Sequence, residues 1–204
     1  MKLYSFDIRN FTDELFLSAY NTLPDDKKMS VDRCKVDKVK KLRTAGDMLL
    51  KKAMTEKGVA DFEIYKNSKG KPYIKNSPYY FNVSHSEDIA ICGISESEIG
   101  VDIEKVRKVN LKTATRFATE KELFYIFGKS PCDDDYYSDT TEIYERFFEI
   151  WTLKEAYFKK LGLGISTDLK SVEFLVENDD VTCNKDARMT IDKSIEGYII
   201  SLAE

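Results

Sequence analysis

The sequence predicts an α+β protein, and three observations carry that prediction. Two long helical patterns, over roughly residues 31–56 and 141–161, sit among short β-branched runs. Those runs do not alternate with helices in the regular β-α-β rhythm of a parallel sheet. With 204 residues, 42% hydrophobic and 33% charged, the chain can bury one sizeable core or two small ones and is too apolar to stay disordered.

"KLYSFDI" (2–8) alternates as a first strand, and residues 10–22 read as a short helix stopped by "LPDD". Over 31–56, Val39, Leu42, Met48, Leu49 and Ala53 form a partial apolar stripe, with Gly58 as the stop and Gly46 weakening the middle. After the turn-rich "KNSKGKPY" come "YYFNV" and "IAICGI", two strand-like runs separated by the polar "SHSED", and then "IGVDIEKV" as a third. Residues 111–127 read as one helix and 128–142 as a loop with three consecutive aspartates. The strongest helical pattern, 141–161, ends at "GLG". In the tail "SVEFLV", "RMTID" and "GYIISLA" are strand candidates, with "KSIEG" as a hairpin turn before the last.

No apolar run reaches the ~18 residues needed to cross a bilayer, and the first residues alternate instead of opening a signal-peptide core. A cytoplasmic protein with no membrane partner is the expectation. Cys34, Cys92, Cys132 and Cys183 are isolated, with no C-x-x-C pair, so neither a zinc site nor a disulfide framework is indicated. The net charge of −4 argues against a general nucleic-acid binder. Residues 31–57 nevertheless carry nine Lys or Arg against four Asp or Glu, either a solvated helix face or a dock for something anionic.

In a strand, side chains two apart share a face, so Asp102 and Glu104 point one way while Val101 and Ile103 fill the other. Two adjacent carboxylates are too costly to bury unpartnered, which leaves an exposed face, a basic partner or a metal. Projected from Trp151, Glu155 falls at about 40°, inside the stripe of Tyr144, Phe147, Phe148 and Phe158, with Lys159 at its border near about 80°. Glu142, Glu145, Glu149 and Lys160 occupy the opposite face in that projection. Glu155 is then either half of a Glu–Lys pair at the rim of the core or a third oxygen ligand. Three hard oxygen ligands without a His or Cys cluster suit Mg²⁺ bridging to a diphosphate. The single histidine, His85, lies between Ser84 and Ser86, a setting that suits phosphate oxygens better than a hydrolytic triad. Lys69 and Lys71 sit on the "KGKPY" turn, as solubilising charge or as phosphate contacts.

Taken in order, "GKPY", "FNVSHS", "IGVDIEKV" and "WTLKEAYFKKLGLG" resemble the motifs of the 4′-phosphopantetheinyl transferases of the surfactin-synthetase-activating type. The resemblance implies two similar α/β halves related by a pseudo-twofold, 1–98 and 99–204, with coenzyme A in the cleft between them. It implies Mg-dependent transfer of the phosphopantetheine arm of coenzyme A to a serine of an acyl or peptidyl carrier protein, releasing adenosine 3′,5′-bisphosphate. Asp102, Glu104 and Glu155 match the magnesium-binding acids, with Glu155 also as general base on the serine. Lys159 matches the lysine assisting at the phosphates, Ser84 and His85 the pair near the adenosine 3′-phosphate, and Lys71 the lysine of the "GKP" turn. Arg43 takes the phosphate role of the basic helix, in competition with Lys38, Lys40 and Lys41. The carrier surface is expected after the acidic strand, where one or two of Phe117, Leu123, Phe124 and Phe127 are left for docking and the rest pack the core. The length suits a monomer of this family. Two readings from other classes use the same residues: a metal-dependent phosphohydrolase or nuclease, and a non-catalytic scaffold that keeps the fold.

Overall fold

The structure, a computed structural model, describes residues 1–128, 140–163, 168–177 and 180–204. The expected aspartate-rich loop and Cys132 lie outside the described residues. In chain order the first half holds β1 (Lys2–Asp7), α1 (Asp13–Asn21), α2 (Asp25–Asp32), α3 (Asp37–Glu56), β2 (Ile64–Lys66), β3 (Pro72–Ile74), β4 (Tyr80–Ser86) and β5 (Ile89–Ser95). The second holds β6 (Gly100–Lys105), α4 (Ala114–Phe117), α5 (Glu120–Phe127), α6 (Thr141–Leu161), β7 (Phe174–Glu177), β8 (Asp180–Cys183), β9 (Met189–Asp192) and β10 (Tyr198–Ala203). This is the expected mixture of helices and strands.

Two predicted helices prove to be divided. "LPDD" not only stops α1 but also starts α2: Pro24 precedes the first turn, and Asp25 and Asp26 face the positive end of the helix dipole. The single helix expected over 31–56 is therefore the end of α2 and the whole of α3. The helix expected over 111–127 breaks before Thr119, whose hydroxyl caps the Glu122 amide while the Glu122 carboxylate returns to the Thr119 amide, starting α5 afresh. Gly46 does not interrupt α3. An added Cβ there would lie 2.9 Å from Val83 Cγ1, so the glycine lets α3 settle onto β4.

One sheet has the order β1-β5-β4 and the other β6-β10-β9, with β2-β3 and β7-β8 as separate hairpins, and every pairing is antiparallel. In each three-stranded sheet the last strand of its half is central and the first is an edge. Alternation then sorts the side chains. On β5, Ala90, Cys92 and Ile94 pack towards α3, while Ile89 and Ile91 join Ile99, Val101, Ile103, Ile200 and Leu202 in a cluster drawn from both sheets. The opposite face of β6 and β10 is turned to α6, where Ser201 bonds Thr152 at 2.7 Å and Ile199 and Ala203 enter the aromatic core of α6. Asp102, paired in register with Ser201, lies on that helix-facing side.

Candidate functional site

β4 and β6 are edge strands of different sheets and share no backbone ladder. They meet through side chains spaced two apart on β4. Asn82 Oδ1 accepts the Val101 amide at 2.9 Å, the Ser84 hydroxyl donates to Asp102 Oδ1 at 2.8 Å, and the Ser86 hydroxyl donates to Glu104 Oε2 at 2.9 Å. The period of two that turns Asn82, Ser84 and Ser86 to this seam turns Val83 and His85 the other way, towards α3.

The third wall is α6, and Gly100 determines how near it comes. A Cβ on Gly100 would lie 2.0 Å from the Ala156 carbonyl oxygen and 2.3 Å from the Lys160 nitrogen, so only glycine permits this contact. The close approach brings the Lys159 ammonium to 2.6 Å from Asp102 Oδ1 and 3.0 Å from Ser84 Oγ. Asp102 is buried, and its Oδ2 has no hydrogen-bond partner. Burial pushes the Asp102 carboxyl above the ordinary range, opposed by the Lys159 ammonium and the Ser84 hydroxyl. Burial likewise pushes Glu155 up, reinforced by the nearby charge of Asp102 and, more weakly, of Glu104. Three acids therefore share one electrostatic neighbourhood.

Their carboxylates do not stand together as a ready three-oxygen group. Among the described residues no three His, Cys, Asp or Glu side chains are arranged to hold a metal. The physical reason is neutralisation from the protein itself: Lys159 takes Asp102, and Arg107 donates to Glu104 Oε2 at 2.9 Å. The donor chemistry nevertheless suits a divalent cation. A buried carboxylate oxygen without a partner is costly, and hard oxygens are what Mg²⁺ takes.

Beside the seam, bounded by α2, α3, β2, β3 and β4, opens a cleft of about 730 Å³. Lys27, Arg43, Lys66 and His85 line it together with Asp26 and Asp47. All its lining residues fall between Asp26 and His85. Arg43 is held there by Ser30, its Nη1 donating to the carbonyl at 3.0 Å and the hydroxyl at 2.9 Å. Two of its three competitors are engaged elsewhere: Lys38 pairs with Glu87 at 2.7 Å and Asp88 at 3.1 Å, and Lys40 with Asp37 at 3.7 Å. His85 is exposed at the cleft edge, and partial desolvation there holds its imidazole below the ordinary value, helped by the positive charges of Lys159 and Arg43.

Two residues expected at the cofactor, Lys71 and Ser84, bond groups of the protein itself. The Lys71 side chain is buried, and its ammonium bonds the Glu98 carboxylate, the Ile99 carbonyl at 3.3 Å and the Lys160 carbonyl at 2.5 Å. It joins the turn before β3 to the carboxyl end of α6, where helix carbonyls favour a cation, and burial pulls its pKa down against the pull of Glu98. The Ser84 hydroxyl is spent on Asp102 and Lys159.

Helix α6 also hides groups that a one-faced projection misplaces. Glu149, assigned to the outer face, is 2% exposed and takes the Tyr125 hydroxyl and the Lys193 ammonium, each at 2.5 Å. Lys154 is fully buried 2.8 Å from Glu122 and donates to the Val172 carbonyl. Glu122 in turn accepts the Phe174 amide at 2.8 Å, so this pair pins α5, α6 and β7 together. Of the four apolar residues after the acidic strand, Phe117, Leu123 and Phe127 are buried and Phe124 is 58% exposed.

A model of the 4′-phosphopantetheinyl transferase superfamily matches residues 98–203, the span that contains Gly100, Asp102, Glu104, Glu155 and Lys159. The chain belongs to this superfamily. Among its relatives, the 4′-phosphopantetheinyl transferase gsp of Aneurinibacillus migulanus is 36% identical over 106 residues, covering 52% of this chain and 40% of the relative. The 4′-phosphopantetheinyl transferase Sfp of Bacillus subtilis (strain 168) is 30% identical over 138 residues, 66% of this chain and 58% of the relative. An L-aminoadipate-semialdehyde dehydrogenase-phosphopantetheinyl transferase of Mus musculus is 24% identical over 174 residues, 78% of this chain and 54% of the relative. The chain thus spans about half the length of the curated superfamily members it matches.

Proposed function

We propose that this chain transfers the 4′-phosphopantetheine arm of coenzyme A to a serine of an acyl or peptidyl carrier protein, releasing adenosine 3′,5′-bisphosphate. The observation that carries the reading is the buried, unpartnered Asp102 Oδ2 beside Lys159, adjoining a cleft lined by Arg43 and His85. Membership of the superfamily supports it. In this reading the cleft takes the nucleotide end of coenzyme A, with Arg43 and His85 towards its phosphates and Lys66 as a further cation on the wall, where Lys27 is paired with Asp47 at 2.9 Å. Asp102, Glu104 and Glu155 would hold Mg²⁺, which when bound neutralises charge on the diphosphate. Lys159 adds a second positive charge at the same place. Glu155, whose carboxyl burial already favours protonation, accepts the proton of the carrier serine as its oxygen attacks the phosphorus bearing pantetheine. The exposed ring of Phe124 on α5 is the residue we assign to carrier contact.

The same reading has the chain acting as a monomer in the cytoplasm, divided into halves 1–98 and 99–204. No helix among the described residues is long and apolar enough to cross a membrane.

The test is mass spectrometry of an unmodified carrier domain incubated with the chain, coenzyme A and magnesium. A gain of one phosphopantetheine arm, abolished by Asp102→Ala in a folded protein, is the expected result. Breakdown of coenzyme A without a gain on the carrier would replace transfer by hydrolysis. Absence of magnesium-dependent coenzyme A binding in calorimetry would leave a scaffold.

A further inference from the structure

Ser84 and Ser86 have the same bonding pattern one step apart on β4. The Ser84 hydroxyl donates to Asp102 and accepts from Lys159 at 3.0 Å; the Ser86 hydroxyl donates to Glu104 and accepts from the Lys105 amide at 3.1 Å. A hydroxyl has one proton to give, so a nitrogen donor on its lone pair forces that proton towards the acid. Each acid is consequently held through a single oxygen. Asp102 is held at Oδ1 by Ser84 and Lys159, and Glu104 at Oε2 by Ser86 and Arg107, whose guanidinium lies 5.0 Å over the Phe148 ring. The other oxygen of Asp102 is left without a partner, and the contacts of Ser86 and Arg107 with Glu104 both fall on Oε2.

We propose that Ser86 is a positioning residue: it fixes the Glu104 carboxylate so that its second oxygen faces the same ion as Asp102, and it does so from the other sheet. This rests on the metal-dependent reading above. The bond adds little to stability, because the Glu104–Arg107 pair it joins is partly exposed, with side chains 23% and 46% accessible. Its consequence is geometric. β4 and β6 have no ladder to set their register, and the Asn82, Ser84 and Ser86 row supplies it. Outer-shell partners of this kind change metal affinity about 10–100-fold when removed.

The experiment titrates the full chain with Mn²⁺, in the presence of coenzyme A, by electron paramagnetic resonance of the free ion. Ser86→Ala should bind Mn²⁺ at least about tenfold more weakly than wild type, with an unfolding midpoint close to wild type, and Ser86→Thr should restore the affinity. In a Glu104→Gln background the same Ser86→Ala change should have no further effect on Mn²⁺ affinity. That background also cancels any contribution of the Lys105 amide bond. Wild-type Mn²⁺ affinity in Ser86→Ala, or an equal loss in both backgrounds, overturns the inference while leaving phosphopantetheinyl transfer intact. A wild-type chain that binds no Mn²⁺ overturns the metal reading and this inference with it.

Discussion

Replacing Gly100 by alanine should separate helix α6 from strand β6. The added Cβ would stand 2.0 Å from the Ala156 oxygen, 2.3 Å from the Lys160 nitrogen and 3.0 Å from the Lys159 carbonyl carbon, all backbone atoms that no rotamer change can move. Restoring ordinary contact requires the helix to withdraw by roughly 1–1.5 Å. A withdrawal of that size breaks the 2.6 Å bond between Lys159 and Asp102. Overpacking of this kind costs about 1–3 kcal/mol. The broken ion pair adds less than a fully buried one would, because the Lys159 side chain is 29% exposed. Displacement of Glu155 and Lys159 by about 1 Å should lower the rate of carrier modification about 100-fold. Urea unfolding and timed mass spectrometry of the carrier read the two effects separately. Gly58→Ala serves as the comparison, since Gly58 has φ +77° and open space around it; it should cost about 1 kcal/mol of backbone strain and leave the rate unchanged. A Gly100→Ala protein with wild-type midpoint and rate would refute the claim that backbone contact between α6 and β6 sets the site.

Lys71→Met, which leaves the Ile99 and Lys160 carbonyls without their donor, should lower the unfolding free energy by about 1–3 kcal/mol and weaken coenzyme A binding only through that loss; a selective loss of affinity at unchanged stability would instead make Lys71 a direct phosphate contact. Thr44→Val should be neutral or stabilising by about 1 kcal/mol in urea unfolding, because the buried Thr44 hydroxyl has no partner to lose. His85 is held below its usual 6.5, so below that pH the unfolded chain takes up a proton before the folded one does, and stability falls as pH drops towards the lowered folded value. In stability measured against pH, the difference between wild type and His85→Gln should show this loss, and a constant difference would remove the desolvation argument.

Periodicity alone determined a good deal. The alternation in "IGVDIEKV" put Asp102 and Glu104 on one face, and in the fold Val101 and Ile103 do fill the opposite cluster, because strand geometry is local. The strong turn and cap signals placed β1, α1 and α6 near their true bounds for the same reason. Local rules failed where packing comes from more than one side. A helical wheel assumes one buried face, but α6 is enclosed by β6, β10, α5 and the segment around Val172, so Glu149 and Lys154 are buried as well as Glu155. The capping box "TEKE" that divides 111–127 was legible in the letters. Strands β2 and β3, three residues each, are too short to show a period at all. Tertiary structure alone decided that Lys71 ties down α6, that Arg43 and not Lys38 or Lys40 reaches the cleft wall, and that serines of one sheet orient the acids of another. Each of these depends on contacts between residues from different elements of the fold, and where α6 meets β6 the absence of a side chain at Gly100 sets how close they come.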